Sequence, residues 1–414
     1  MLDFRPPEDN ALVIGLCKLF MPQILLLRCS DLQVRINGDG RERFKKLAGK
    51  HVLICPNHSY RHDPEVMFDF GRQCGEAFNF VAAREVFDYN NGFNGWLLQK
   101  LGCYSVVRGA ADRESFKTTK SILSTGKKKL VLFPEGEISW QNESILPLES
   151  GAVQLSFWAL DEMQKTMPQE PVYVLPIALK YTYRTNITKA LDHSITLLEK
   201  HLGIHAKHED SMYQRTRNAA LKVLEALERQ YGCKVAENAA LNDRMTEVKE
   251  RSLRSMAKVL DLELPPIKNT YLDWVRILRN AMDDFIFNDT TQLSDYERKV
   301  HEERTAQIKK FYRDLDRIVG FIAIYDGYLN PPATQERIAN VVEMLEGEVF
   351  GEKTIKGPRL VTAEVGEPIN LLDVYAEYKK SKRAVLEKAT SELSKQIHGM
   401  LDGLEKQREA VYVN

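Results

Sequence analysis

Two short stretches of the chain carry residue types suited to proton transfer. The first is Asn57-His58-Ser59-Tyr60-Arg61-His62-Asp63. A histidine and an aspartate five positions apart in one loop let the chain fold back, so that the carboxylate meets one imidazole nitrogen. The other nitrogen is then left as a general base. Such a pair amounts to two members of a Ser-His-Asp triad, with a substrate hydroxyl replacing the serine. A plainer reading of the same residues is a polar loop that caps a helix, with Asp63 near the N-cap and Pro64 in the first turn. The second stretch is Phe133-Pro134-Glu135-Gly136. Proline and glycine around a glutamate define a tight turn whose amides can point at an anion. Each stretch alone is ordinary, but the two in this order are a far more specific signal.

Both follow apolar runs of the kind that form buried strands. His51-Val52-Leu53-Ile54-Cys55 precedes the first and Lys129-Leu130-Val131-Leu132-Phe133 leads into the second. Continuous apolar runs bounded by breakers predict strands covered on both faces. Further runs occur at Phe78–Ala83, Cys103–Val107 and Val172–Tyr181, with helical stretches at 114–124 and 152–163 between them. This alternation predicts an α/β fold with a substantially parallel sheet, whose chemistry collects at the carboxyl ends of the strands. Beyond about Thr185 helical periodicity takes over. Leu241, Met245, Val248, Met256 and Val259 define one face, and Ile308, Phe311, Leu315, Ile318 and Ile322 another. Alternation returns at Arg359–Val365, and a last amphipathic helix is predicted over about 371–404.

Composition narrows the class. With Lys plus Arg and Asp plus Glu both at 58, the net charge is zero, so an anionic partner has to be met by local patches. Nothing points to nucleic acid. Six scattered cysteines without a C-x-x-C pair fit a reducing cytosol and small buried thiols. No secretory signal is expected. The longest apolar stretch, Ala11–Leu27, is interrupted by Lys18 and Pro22 and is short for a bilayer span, which favours lying in the membrane interface over crossing it. Core packing is the alternative.

The two motifs together resemble those of the glycerolipid acyltransferase family, typified by bacterial 1-acyl-glycerol-3-phosphate acyltransferase. Two further blocks are similar to the family's: Gly102-Cys103-Tyr104-Ser105-Val106-Val107-Arg108 between the first pair, and Val174-Leu175-Pro176-Ile177-Ala178 after them. The resemblance spans roughly 32–183 and resumes at Val361–Ile369, which makes the intervening helical stretch an insertion. The expected fold is therefore an α/β, glycerolipid-acyltransferase-type mixed sheet flanked by helices, with a large all-helical insertion. The expected division is an N-terminal amphipathic membrane-contact segment over 1–30, a first part of the core over 31–187, the insertion over 188–356, and the last strand and helix over 357–414.

The resemblance implies His58 as base, Asp63 as its orienter and Arg108 as a phosphate clamp. Glu135 and Gly136 would shape the acceptor and oxyanion region, and Arg84 matches a basic substrate-binding position. No metal or cofactor is implied. The donor would be acyl-CoA or acyl carrier protein, and the acceptor the hydroxyl of a glycerol-phosphate or lysophospholipid, at the cytosolic face of a membrane. One departure matters: the family commonly continues with Thr-Arg-Ser, whereas this chain has Glu137-Ile138-Ser139. A basic residue near the acceptor's phosphate is missing and an acid has appeared, which leaves room for a non-glycerophosphate lipid acceptor. A catalytically idle lipid-binding scaffold is the reading from another class. The basic runs Arg41–Lys50 and Lys127–Lys129 read either as solvated faces or as contacts for lipid, coenzyme A or a carrier protein. His193, His201, His205 and His208 cluster but lack an H-E-x-x-H pattern, and no metal site is expected there.

Overall fold

The computed structural model describes residues 3–107, 112–205, 207, 209–234, 239–267, 271–323 and 327–413. Two compact units emerge. The first comprises Met1–Tyr181, Phe287–Asp289 and Arg359–Arg408, and the second Thr182–Ile286, Thr290–Pro358 and Glu409–Asn414.

In chain order the first unit opens with α1 (Ala11–Leu27), β1 (Leu32–Ile36), α2 (Gly40–Lys45), β2 (His51–Pro56), α3 (Asp63–Cys74) and β3 (Asn79–Ala83). A 3₁₀ turn, α4 (Phe93–Lys100), β4 (Cys103–Val106), α5 (Arg113–Thr125), β5 (Leu130–Val131), α6 (Gly151–Met163) and β6 (Val172–Tyr183) follow. The second unit contributes α7 (Thr188–Leu202), α8 (Met212–Tyr231), α9 (Leu241–Leu260), α10 (Leu272–Ile286), α11 (Asp295–Ile308), α12 (Phe311–Ala323), β7 (Ala333–Thr334) and α13 (Gln335–Val349). The chain then returns to the sheet with β8 (Arg359–Val365) and β9 (Ile369–Asn370), and ends in α14 (Tyr375–Lys380), α15 (Lys382–Gln407) and β10 (Tyr412–Val413).

The sheet has eight strands in the order β1-β8-β6-β2-β5-β3-β4, with β9 antiparallel on β6. The pairs β1–β8, β6–β2, β2–β5, β5–β3 and β3–β4 are parallel. Alternation along β2 explains why both faces are covered. Val52 and Ile54 enter one core with Phe44, Val66 and Phe70 of α2 and α3, while Leu53 and Cys55 enter another with Phe157 and Leu160 of α6 and Leu393 of α15. The fold is a helix–sheet–helix sandwich, a mixed α/β architecture dominated by parallel strands.

Several boundaries differ from those read in the sequence. The periodicity from Ile308 to Ile322 is divided between α11 and α12. The last helix is interrupted at Ser381, whose φ of −144° leaves the helical region. Residues 409–414 group with the helical unit instead of the last helix of the core, because Tyr412–Val413 pairs antiparallel with Ala333–Thr334, so the insertion is not purely helical. The N-terminal stretch is built into the first unit: Ser105 N donates to Arg5 O, Arg5 N donates to Ser105 Oγ, and Met21, Leu25 and Cys29 join the core. Helix α1 is apolar around most of its circumference, since Leu12, Leu16, Leu19, Phe20, Leu26 and Leu27 stay exposed opposite the packed face. No helix among the described residues is long and apolar enough to cross a membrane.

Candidate active site

Three adjacent parallel strands set the site. Pairing of Ile54 with Val131 and of Pro56 with Ile177 brings the ends of β2 and β5 together with the far half of β6. The loop after β2 carries His58, the loop after β5 carries the Pro134-Glu135-Gly136 turn, and β6 runs on to Tyr181. Asn57 fastens the first loop to β6. Its side-chain carbonyl accepts from Leu179 N at 2.6 Å, and its amide donates to Leu179 O at 3.1 Å and to Ser59 Oγ at 2.9 Å.

His58 Nδ1 lies 2.8 Å from Asp63 Oδ2. Asp63 is fully buried and its carboxylate has two more donors, Tyr60 N at 2.9 Å to Oδ2 and the Tyr181 hydroxyl to Oδ1. Burial, followed by the Asp63 charge, pushes the Tyr181 phenol well above its ordinary range, so its hydroxyl stays a donor. A carboxylate so surrounded is an acceptor, and the imidazole proton therefore belongs on Nδ1, with the Nε2 lone pair free. Nothing among the described residues hydrogen-bonds Nε2, and the His58 side chain keeps 15% exposure. Phe133 stacks on the imidazole at 4.2 Å between centroids with 22° between planes, which restrains the ring.

Glu135 does not face an open site, contrary to its expected substrate-binding role. It is completely buried and clamps two amides, His58 N at 2.6 Å and Leu146 N at 2.7 Å. The second motif thus holds the first by its backbone, and Ser139 reinforces the link by donating its N–H to His58 O at 2.8 Å. Gly136 has φ +71°, and a Cβ there would come within 2.9 Å of Glu149 Oε1, so both conformation and space call for glycine. Its own N–H donates to Phe133 O at 3.2 Å, which closes the turn and commits that amide within the turn itself.

Arg84 does not join the constellation. Its guanidinium is 2% exposed and is held by Asp3 and Asp88, with Nη1 2.9 Å from Asp88 Oδ1 and Nε 2.8 Å from the Asp3 carbonyl. The expected substrate-binding position therefore faces Asp3 and Asp88, and burial keeps its guanidinium from solvent. Arg108 lies outside the described residues. In the histidine cluster α7 stops at Leu202 and Gly203 turns left-handed, so His201 and His205 share no helix face, while His208 lies outside the described residues.

Residues that sequence reasoning missed complete the frame. Tyr181 anchors Asp63. Arg359, 1% exposed at the start of β8, places its guanidinium 4.8 Å from the Tyr60 ring and 5.3 Å from the Tyr181 ring. Asn142 accepts from Tyr181 N at 2.7 Å and donates to Tyr181 O, which pins the loop after Gly136 to β6. Buried Lys180 donates to Asn142 O at 3.0 Å and pairs with Glu405 of α15 at 2.7 Å. Burial alone would raise the Glu405 carboxyl, but hydrogen bonds from Arg408 and Lys180 prevail and hold it at about 2. The one legible signal was a tyrosine and a lysine inside an otherwise apolar strand run.

A histidine held by a buried carboxylate thus stands at the carboxyl ends of parallel strands of an α/β sandwich, the place where such folds carry their chemistry. Residues 35–180 match the family model described as Acyltransferase, which makes this part of the chain an acyltransferase domain of the glycerolipid acyltransferase family. No curated protein matches the chain in sequence. A domain of this family implies acyltransferase activity with an acyl donor and a lipid acceptor.

Proposed function

We propose that the protein is an O-acyltransferase that moves a fatty acyl group from acyl-CoA or acyl carrier protein to the hydroxyl of a glycerol-phosphate or lysophospholipid acceptor. The reading rests on one observation, the 2.8 Å contact between His58 Nδ1 and the fully buried Asp63, with Nε2 left unbonded. In this reading Nε2 removes the acceptor's hydroxyl proton as that oxygen attacks the thioester carbonyl. Asp63 steadies the imidazolium, the tetrahedral intermediate collapses with cleavage of the carbon–sulfur bond, and His58 returns its proton to the departing thiolate. The products are an ester and a free thiol, without a protein nucleophile. Because the Gly136 N–H closes its own turn, the oxyanion in this reading takes its donors from other groups of the site. The work would take place on the inner face of a membrane, reached peripherally. Exposed Leu12, Leu16, Leu19 and Phe20 on α1 support that contact.

The test is turnover of a labelled acyl thioester with the full chain and its His58→Ala variant. Loss on the order of a thousandfold, with folding intact, is expected for removal of a general base. Unchanged turnover refutes the assignment, and wild type without any turnover favours an idle lipid-binding scaffold. A second acceptor class, a non-glycerophosphate lipid, is favoured by Glu137, which is 7% exposed where the family carries a basic residue nearby. A panel of phosphate and non-phosphate acceptors separates the two, and product only from the latter group rejects the glycerol-phosphate reading.

A further inference from the structure

The loop that carries His58 and Asp63 has a second histidine, His62, that the acyl-transfer reading does not use. Its Nδ1 is sealed from water and makes no hydrogen bond, yet it stands 3.8 Å from Glu65 Oε1. Buried imidazole nitrogens are normally hydrogen-bonded, so an unbonded one aimed at a carboxylate needs an explanation. Cys29, with no exposed surface, completes the group: one ligand atom each from Cys29, His62 and Glu65 all lie within 4.8 Å of one another. Among the described residues this is the one trio of metal-type side chains brought so close.

We propose that Cys29, His62 and Glu65 form a zinc-binding site, with water or another small ligand in the fourth position. The donor set is one sulfur, one nitrogen and one oxygen, which suits a borderline-soft ion and is foreign to magnesium or calcium. In a tetrahedral zinc site the ligand atoms stand about 3.3–3.6 Å apart, given metal–ligand distances of roughly 2.0–2.3 Å. The present spacing therefore closes on an ion with shifts of about 1 Å in two flexible side chains and the thiol. Zinc takes the thiolate, so binding would release the Cys29 thiol proton to solvent. Arg28 is the competitor: its Nε is 4.0 Å from Glu65 Oε1, but the side chain is 60% exposed and can swing into water.

The position gives the site its meaning. Cys29 lies just beyond the last turn of α1, while His62 immediately precedes α3 and Glu65 stands in its first turn. An ion there ties α1 to the loop that also holds His58 and Asp63. It would brace that loop in addition to the Glu135 clamp on the His58 amide, without contributing to acyl transfer.

Cobalt(II) tests the site without any reference to turnover. Chelator-stripped full-length protein titrated with cobalt is expected to show a thiolate-to-cobalt charge-transfer band and tetrahedral ligand-field bands that saturate at one ion per chain. Zinc should displace them. The charge-transfer band should vanish in Cys29→Ser, and cobalt affinity should fall at least about tenfold in His62→Ala and in Glu65→Gln. Zinc should also raise the melting temperature of the wild type but not of His62→Ala, which covers the case of a Cys29→Ser protein that does not fold. Absence of the charge-transfer band in the wild type overturns the proposal, as does its persistence in folded Cys29→Ser, which would assign the thiolate to another cysteine. Either failure leaves the His58 reading untouched.

Discussion

Glu135→Gln is the substitution that most sharply separates a structural from a substrate-binding role for the second motif. In the folded protein Glu135 accepts the His58 and Leu146 amides at 2.6 and 2.7 Å in a site closed to water. Glutamine keeps the shape but offers one acceptor oxygen, and its amide group must face the other N–H donor to donor. One charge-assisted bond becomes neutral and one buried donor loses its partner, which together cost about 2–5 kcal/mol. Trp140 lies on the stretch between the two clamped positions and packs edge-on against Tyr60 at 6.2 Å, so its fluorescence reports the local loosening. Urea unfolding followed through that signal should show a lower midpoint, and steady-state kinetics should show kcat reduced with the acceptor KM within about threefold of wild type. The uniform-binding pattern, a KM raised tenfold or more at constant kcat, would mean that Glu135 touches the acceptor. That result, or an unchanged urea midpoint, refutes the clamp.

Tyr181→Phe removes one of three donors from Asp63 and holds that carboxylate less firmly against His58, so kcat should fall while the acceptor KM stays within about threefold, with stability down by about 1.5–3 kcal/mol. A kcat equal to that of wild type argues against any positioning role. Arg84→Met should lower the melting temperature, corresponding to about 1–3 kcal/mol because Asp3 and Asp88 are half-exposed and can rehydrate, while leaving the acceptor KM within about twofold. A large KM increase would restore it as a substrate contact. Glu405 has a folded-state value of about 2 against an ordinary 4.5, so its contribution is present above about pH 4.5 and disappears as pH falls toward 2. The urea midpoints of wild type and Glu405→Gln should accordingly be further apart at pH 6 than at pH 3.5, and a gap that widens on acidification contradicts the sign.

What the sequence makes legible is the part written in local patterns. Apolar runs at 51–55 and 172–181 identify strands because a sheet covered on both faces needs uninterrupted hydrophobicity, and the His58–Asp63 spacing is short enough for one loop to satisfy. The functions of Glu135 and Arg84 were not readable in this way. Each depends on which backbone amide or carboxylate arrives from a distant segment: Glu135 meets residue 58, and Arg84 meets residue 3. A charged side chain next to a motif looks the same in sequence whether it faces ligand or is buried against its own chain. Tyr181 and Arg359 were missed for a related reason, since their partners Asp63 and Tyr60 are joined to them only by strand order. The helical breaks at 309–310 and 381 fall inside continuous amphipathic patterns, where periodicity persists across a kink and conceals it.

The position of β8 between β1 and β6 has a consequence for biosynthesis. A ribosome releases β1 early and β6 before the middle of the chain, but the strand that fills the slot between them appears only after α7 to α13 have been made. Until residue 359 emerges, two strands present unpaired edges and Tyr60 and Tyr181 lack the guanidinium that packs on their rings. A truncated product ending near residue 180 would carry both motifs yet lack a central strand, and should collect as aggregate or as chaperone-bound chain instead of working enzyme.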